Sequence, residues 1–153
     1  MIEIVEERRV DAPPDVVWAQ VEPVERLPGW FELAENAEAL EGEGLGRRQR
    51  ITGHWGNKRS EVDQVVTEYR PCEALVWRHE AERLDGKPAP KFARSTDFSI
   101  ELQSDDGATL VRLRSRQEPA GPLQGMVMRL AARRALRVGL RRSLDRLAAS
   151  VRI

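Results

Sequence analysis

The residues most able to move a proton near neutral pH are His54 and His79, the only imidazoles in the chain. Neither has a cysteine, aspartate or second histidine beside it at metal-ligand spacing, so no metal site is expected. His79 alternates in phase with Leu75 and Trp77. On that side of a strand it would be a hydrogen-bond partner or general acid/base for a bound carbonyl compound; the plainer reading is a strand-end histidine with one side in water. His54, next to Trp55 and a turn, fits the plainer reading better. Trp18, Trp30, Trp55 and Trp77 are four large amphipathic rings in a chain with three phenylalanines and one tyrosine. Core packing accounts for any of them, and Trp30, Trp55 and Trp77 are the candidates for lining a cavity.

Other chemistries lack their motifs. There is no nucleophile elbow, phosphate-binding glycine loop or paired-carboxylate pattern. Gly42, Gly44 and Gly46 read as turn residues because no helix follows them. Cys72 is the single cysteine, which rules out an intrachain disulfide. No cofactor is expected. The net charge is zero, yet residues 1–45 hold twelve acidic and three basic side chains, while residues 121–153 hold eight arginines and one acid, Asp145. Such asymmetry does not fit a uniformly basic nucleic-acid face, and no nucleic-acid partner is expected. The arginines either pair with the acidic segment or with water, or form a surface for an acidic partner or anionic headgroups.

The chain has 153 residues, 41% of them hydrophobic, enough for one ordinary core, so a single domain over 1–153 is expected. No run of apolar residues is long enough to span a bilayer, and the amino end is too charged for a signal peptide. A cytoplasmic protein without stable membrane insertion is the expectation.

The elements that must position these residues follow from periodicity and breakers. Ile2–Val10 reads as a strand, although Glu6 and Arg8 interrupt its apolar set. Pro13 and Pro14 end it and open a short helix around Trp18, and a second helical turn over Val24–Leu27 is closed by Pro28-Gly29. Strands are expected over Asn36–Glu41, Arg47–His54, Lys58–Tyr69, Ala74–Ala81, Arg94–Gln103 and Thr109–Gln117. Asp85 to Pro90 reads as a flexible excursion. Alternation sets Phe98, Ile100, Val111 and Leu113 on apolar faces.

The stretch from Pro122 to Val151 is the only long helix available, with Gly121 as N-cap and Pro122 at its first position. At ~1.5 Å per residue it would run roughly 45 Å. Leu123, Met126, Val127, Leu130 and Ala131 form one apolar stripe; Leu136, Leu140, Leu144, Leu147 and Val151 form another, rotated from the first. Arg137 lies near the changeover, where it would either turn inward to a ligand carboxylate or phenolate or carry its head to solvent. Gly139 suggests a kink or a close approach.

This order, with Val10-Asp11-Ala12-Pro13-Pro14-Asp15-Val16-Val17-Trp18, then Leu27-Pro28-Gly29-Trp30, Tyr69-Arg70-Pro71 before Leu75-Val76-Trp77, and Glu118-Pro119-Ala120-Gly121-Pro122-Leu123, resembles the START-like superfamily. That group is also called Bet v 1-like, or SRPBCC, the polyketide cyclase/dehydrase and lipid transport group. The resemblance covers nearly the whole chain and marks Trp18 as part of a structural corner. It implies an α+β helix-grip fold: a seven-stranded antiparallel sheet wrapped around the long C-terminal helix, with two short helices after the first strand. It also implies a cavity between sheet and helix for a small hydrophobic ligand, a lipid, polyketide or aromatic compound. Candidate lining residues are Trp30, Trp55, Trp77, Phe98, Ile100, Val111, Leu113, Met126, Leu130 and Arg137. The alternative is a polyketide aromatase/cyclase or dehydrase, with His79 as general acid/base and Arg137 or Tyr69 orienting an oxyanion. A monomer and a homodimer are both compatible with the sequence.

Overall fold

The computed structural model describes residues 1–89, 93–119, 121 and 133–151. Its elements in order are β1 (Ile2–Val10), α1 (Pro14–Val21), a 3-10 turn (Val24–Arg26) running into α2 (Leu27–Trp30), β2 (Asn36–Glu41), β3 (Arg48–Trp55), β4 (Lys58–Arg70), β5 (Ala74–Leu84), β6 (Lys87–Pro88), β7 (Ala93–Asp105), β8 (Ala108–Pro119) and α3 (Arg133–Ser150). Every strand pairing is antiparallel, in the order β1-β8-β7-β5-β4-β3-β2, with β6 attached to β5. α3 packs against β1 and α2, so the sheet and the carboxy-terminal helix form the helix-grip arrangement.

Two expectations change in detail, and a third falls outside the described residues. Pro28 and Gly29 do not end the second helical segment but lie inside α2, whose turn closes with the Phe31 N–H donating to Leu27 O at 2.7 Å. Proline is tolerated there because an amide in the first helical turn has no intrahelical acceptor to lose. The excursion after β5 begins as a regular turn: Asp85 and Gly86 stand at positive φ and return the chain as β6, giving an eight-stranded sheet among the described residues. The expected helix start and first apolar stripe, Pro122–Ala132, lie outside the described residues, and α3 is α-helical through Gly139.

Inner-face positions follow the pleat. In β1, Ile2, Ile4 and Val10 are buried, and Glu6 and Arg8 share their face. These two charges do not disturb the core, because α3 answers them. Glu6 accepts from Arg137 and Arg141, each at 3.0 Å, and Arg8 pairs with Asp145. Arg142 reaches Glu32 at 3.2 Å, and Arg146 donates to Pro28 O at 2.8 Å. The acidic amino-terminal segment and the arginine-rich helix are thus partners. Beneath these pairs Leu140, Leu144, Leu147 and Val151 are buried. Ser143 Oγ donates to Gly139 O at 2.8 Å and accepts the Glu32 N–H at 2.9 Å, tying α3 to the segment after α2.

The outer face is polar and internally paired. Arg116 meets Glu3, Arg112 meets Glu7, and Arg78 meets Asp97. Asp63 is shared by Arg50 at 2.7 Å and Arg83 at 2.9 Å. The Arg50 hydrogen bond, helped by Arg83, holds the Asp63 carboxyl below the usual carboxylate range against the opposing effect of burial. A folded-state pKa below the unfolded one stabilises the fold above about pH 4, and that contribution disappears as pH falls through the folded value. Asp63→Asn should therefore cost about 1–2 kcal/mol in urea melts at neutral pH. The gap between variant and parent should shrink from about pH 4 downward; an unchanged gap in acid would contradict this role for Asp63.

Candidate functional site

The β5–β7 ladder runs from Ala74 opposite Glu101 to Arg78 opposite Asp97 and stops there. Arg78 grips Asp97 through two bonds of 2.9 and 3.3 Å across this last rung. Beyond it, β5 pairs with β6 while β7 stays with β8. On the β4 side, Gln64 faces His79 and Asp63 faces Ala81, so Glu80 is an extra residue in a bulge. Bulges bend a strand and re-aim its side chains. The parted strands leave a cleft of about 320 Å³ that opens to solvent and is lined largely by polar and charged side chains, among them His79, Glu80, Glu82, Arg83, Arg94 and Thr96.

His79 sits at this opening with its side chain only 12% exposed. Its Nδ1 lies 2.7 Å from Glu82 Oε1, and its Nε2 is buried with no partner. An ionised carboxylate accepts but cannot donate, so it selects the tautomer with the proton on Nδ1 and leaves the Nε2 lone pair free. The imidazole centroid is 5.6 Å from Phe98. Trp77 and Phe98 stand opposite each other on β5 and β7, and Phe98 stands opposite Ser115 on β8. Phe31 stacks on Trp77 at 6.3 Å and meets Phe98 edge-on at 5.4 Å; Trp30 tilts against both Phe31 and Trp77. Trp30 Nε1, Trp77 Nε1 and Ser115 Oγ are buried without a partner. A buried donor left unmade costs about 1–3 kcal/mol, and proteins keep few of them. Here three such donors and one imidazole nitrogen surround a single aromatic cluster.

Sequence reasoning missed a polar row on the same inner face. Gln49, Gln64 and His79 are directly opposed on β3, β4 and β5. Extending the Arg78–Asp97 register by one residue places Thr96 across the gap from His79, and Gln117 opposes Thr96 on β8. Gln49 Nε2 donates to Gln64 Oε1 at 2.9 Å. Arg47, 5% exposed, donates to Gln49 Oε1 at 3.2 Å and to Glu22 Oε1 and O, each at 2.9 Å. Its guanidinium is delivered inward by the turn at Gly44 and Gly46, both at positive φ; the Gly46 N–H donates to Val66 O at 2.9 Å. Tyr69 donates to Glu22 Oε1 at 3.4 Å, and burial, then the Glu22 charge, raise its phenol pKa. The available signal was that Arg47 and Gln49 alternate in phase with the buried Ile51.

Of the residues nominated from sequence, the structure brings together His79, Trp30, Trp77 and Phe98. Ile100, Val111 and Leu113 are fully buried farther along the sheet, in the row of Leu75 and its neighbour. Arg137 does not turn toward this cluster, because Glu6 holds it. Tyr69 lies opposite Leu75, four β5 positions from His79, which is roughly 13 Å along a strand. Neither is placed to orient an oxyanion beside His79. The Trp55 side chain, Met126 and Leu130 lie outside the described residues. His54 is exposed and bonded to Glu35 at 2.8 Å. Among the described residues, no group of three potential ligands is placed to hold a metal.

Residues 1–152 match the family model described as polyketide cyclase / dehydrase and lipid transport. The chain belongs to this family. Solved structures extend the likeness over nearly the whole fold. TTHA0849 from Thermus thermophilus is 18% identical, with 98% of this chain and 97% of that one covered at a TM-score of 0.77. Ara h 8.0201 is 16% identical with the same coverages and a TM-score of 0.73. XoxI from Bacillus cereus is 14% identical, covered over 99% of this chain and 96% of that one, with a TM-score of 0.74. No curated protein matches this sequence. In this polyketide cyclase/dehydrase and lipid transport domain, no helix among the described residues is long and apolar enough to cross a membrane.

The Glu82 contact makes a spectroscopic prediction. At about pH 9, where an ordinary imidazole is neutral, long-range proton–nitrogen NMR should find the His79 proton on Nδ1. Glu82→Ala should move it toward Nε2; a Nε2–H tautomer in the parent protein would contradict the geometry.

Proposed function

We propose that this domain binds and carries a small hydrophobic ligand between the sheet and the carboxy-terminal helix, with the ligand's polar end at His79. The reading rests above all on one observation. The sheet parts between β5 and β7 next to an imidazole whose buried Nε2 has no protein partner. A cleft of about 320 Å³ is at the lower end of the usual range for small-molecule sites, which suits a compound of one or two rings or the head of a longer one. Trp30, Phe31, Trp77 and Phe98 form a buried aromatic cluster that the His79 ring adjoins through Phe98, and family membership supports ligand binding of this general kind. Native mass spectrometry of protein from its host should find a retained hydrophobic compound. Ring compounds should quench the tryptophan fluorescence. Thr96→Trp, which fills the gap opposite His79, should weaken binding at least tenfold with little change in the melting curve. Absence of a retained compound, together with no response to fatty acids or polyphenols, would refute the carrier reading.

A second reading is favoured by the carboxylate-oriented imidazole. His79 would act as general acid/base in an aromatase/cyclase or dehydrase reaction, with an indole N–H in place of Tyr69 or Arg137 as the donor to an oxyanion. General acid–base catalysis contributes about 10²–10⁴ in rate. His79→Gln should therefore lower turnover of a poly-β-keto thioester at least about a hundredfold, and a variant with parental turnover would exclude this role.

A further inference from the structure

The large apolar side chains exposed among the described residues are Met1, Leu33, Leu40, Leu45 and Val138. Apart from Met1 they fall into two pairs, each set among charges mainly of one sign. Val138 lies on the outer side of α3, with Arg134 one turn before it and Arg141 and Arg142 one turn after. Leu33 is beside it: its Cδ2 lies 4.0 Å from where a Cβ on Gly139 would stand, so the glycine admits it against the helix. The arginines here outnumber the acids that answer them. Arg137 and Arg141 share the one carboxylate of Glu6, Arg142 pairs with Glu32, and Asp145 is taken by Arg8. Arg133 and Arg134 are exposed without an acidic partner among the described residues, and the sequence holds no acid from Pro119 to Leu144.

Leu40 and Leu45 belong to the β2–β3 hairpin. Leu40 is the residue left out of the ladder by the bulge between Ala39 and Glu41, and Leu45, 67% exposed, stands between Gly44 and Gly46, both at positive φ. Around them Glu38, Glu41 and Glu43 are exposed. Glu38 and Glu41 are answered loosely, 3.9 Å from Arg50 and 3.7 Å from Arg48, because those arginines bond to Asp63 and Glu80. Glu43 has no basic partner among the described residues.

One patch is basic around an apolar centre and the other acidic around an apolar centre, and no ion pair among the described residues joins them within the chain. A polyanion such as a nucleic acid or an anionic bilayer would match the basic patch alone. Another copy of the chain matches both, and a net charge of zero removes the overall repulsion between copies. We propose that the α3 face around Leu33 and Val138 docks on the β2–β3 hairpin around Leu40 and Leu45 of a second copy of this chain, arginines against glutamates. The contact joins unlike patches, so it closes as a reciprocal pair or continues head to tail. It is independent of what the interior carries.

Sedimentation equilibrium of the full chain tests this. At about 0.01 M salt, where charges act over roughly 30 Å, the average mass should rise above that of one chain as concentration increases. At about 1 M, where that range falls to roughly 3 Å, it should return to that of one chain. Arg134→Glu and Glu43→Arg each set like charges across the contact and should weaken association at least about tenfold. A one-to-one mixture of these two variants should restore it, which damage to the fold of either variant would not do. Leu45→Ser should weaken it about fivefold at unchanged charge. A single chain at every concentration in low salt overturns the proposal, as does association that survives high salt, is untouched by the variants, or is no stronger in the mixture than in either variant alone. A chain that stays single and binds phosphatidylglycerol vesicles instead assigns the basic face to an anionic lipid surface and overturns the second copy as its partner.

Discussion

The inner face of β1 carries two charges, Glu6 and Arg8, in line with Ile2, Ile4 and Val10, and the rest of the architecture depends on their being answered. Glu6 is largely buried, so its carboxylate left unpaired would be costly, whereas Arg8 keeps part of its solvation and its pair with Asp145 contributes less. The Arg137, Arg141 and Asp145 side chains answer them from consecutive turns of one helix face. This sets where α3 lies along the sheet, and Leu140, Leu144 and Leu147 then cover the apolar rows. The hydrophobic burial supplies most of the stabilisation, but it is non-directional. The ion pairs supply the register.

The described part of α3 lies over β1 and β8, and the proposed site is at the opposite part of the sheet. There β5 bulges at Glu80 and leaves β7, exposing an opening beside the polar row that crosses the inner face from Gln49 to Gln117. At its Gln49 end the row is satisfied by Gln64 and Arg47. Near His79, Trp77 and Ser115 it is not. This gradient, from a closed network to unpaired groups, supports the proposed placement of the ligand more than the aromatic residues do, because rings alone are equally at home in a core.

Much of the fold was legible because the chain uses strong local signals. Asp105-Asp106-Gly107 fixes the β7–β8 hairpin, and Phe98, Ile100 and Leu102 fix the buried face of β7. The opposite charges of the two ends anticipated the pairing of α3 with β1. The α2 boundary was misread because Pro28-Gly29 is a strong local breaker, whereas a proline near a helix start loses nothing. The site was legible only in part. Alternation placed His79 with Trp77, but the bulge at Glu80 breaks strict alternation, and the proton-setting contact with Glu82 depends on that local irregularity. For Arg137 the sequence left an inward and a solvent-directed head both open, because a side chain between two apolar stripes has no periodicity to say which neighbour claims it. Glu6, distant in sequence, decided the matter.

The most direct measurement is a crystal structure of protein purified from its native host, inspected for density between Trp77, Phe98 and His79. The account predicts a hydrophobic compound reaching the opening beside His79, with an oxygen within hydrogen-bond distance of His79 Nε2. A ligand bound elsewhere, or His79 Nε2 and the Trp77 N–H paired to protein groups in a filled interior, would contradict it.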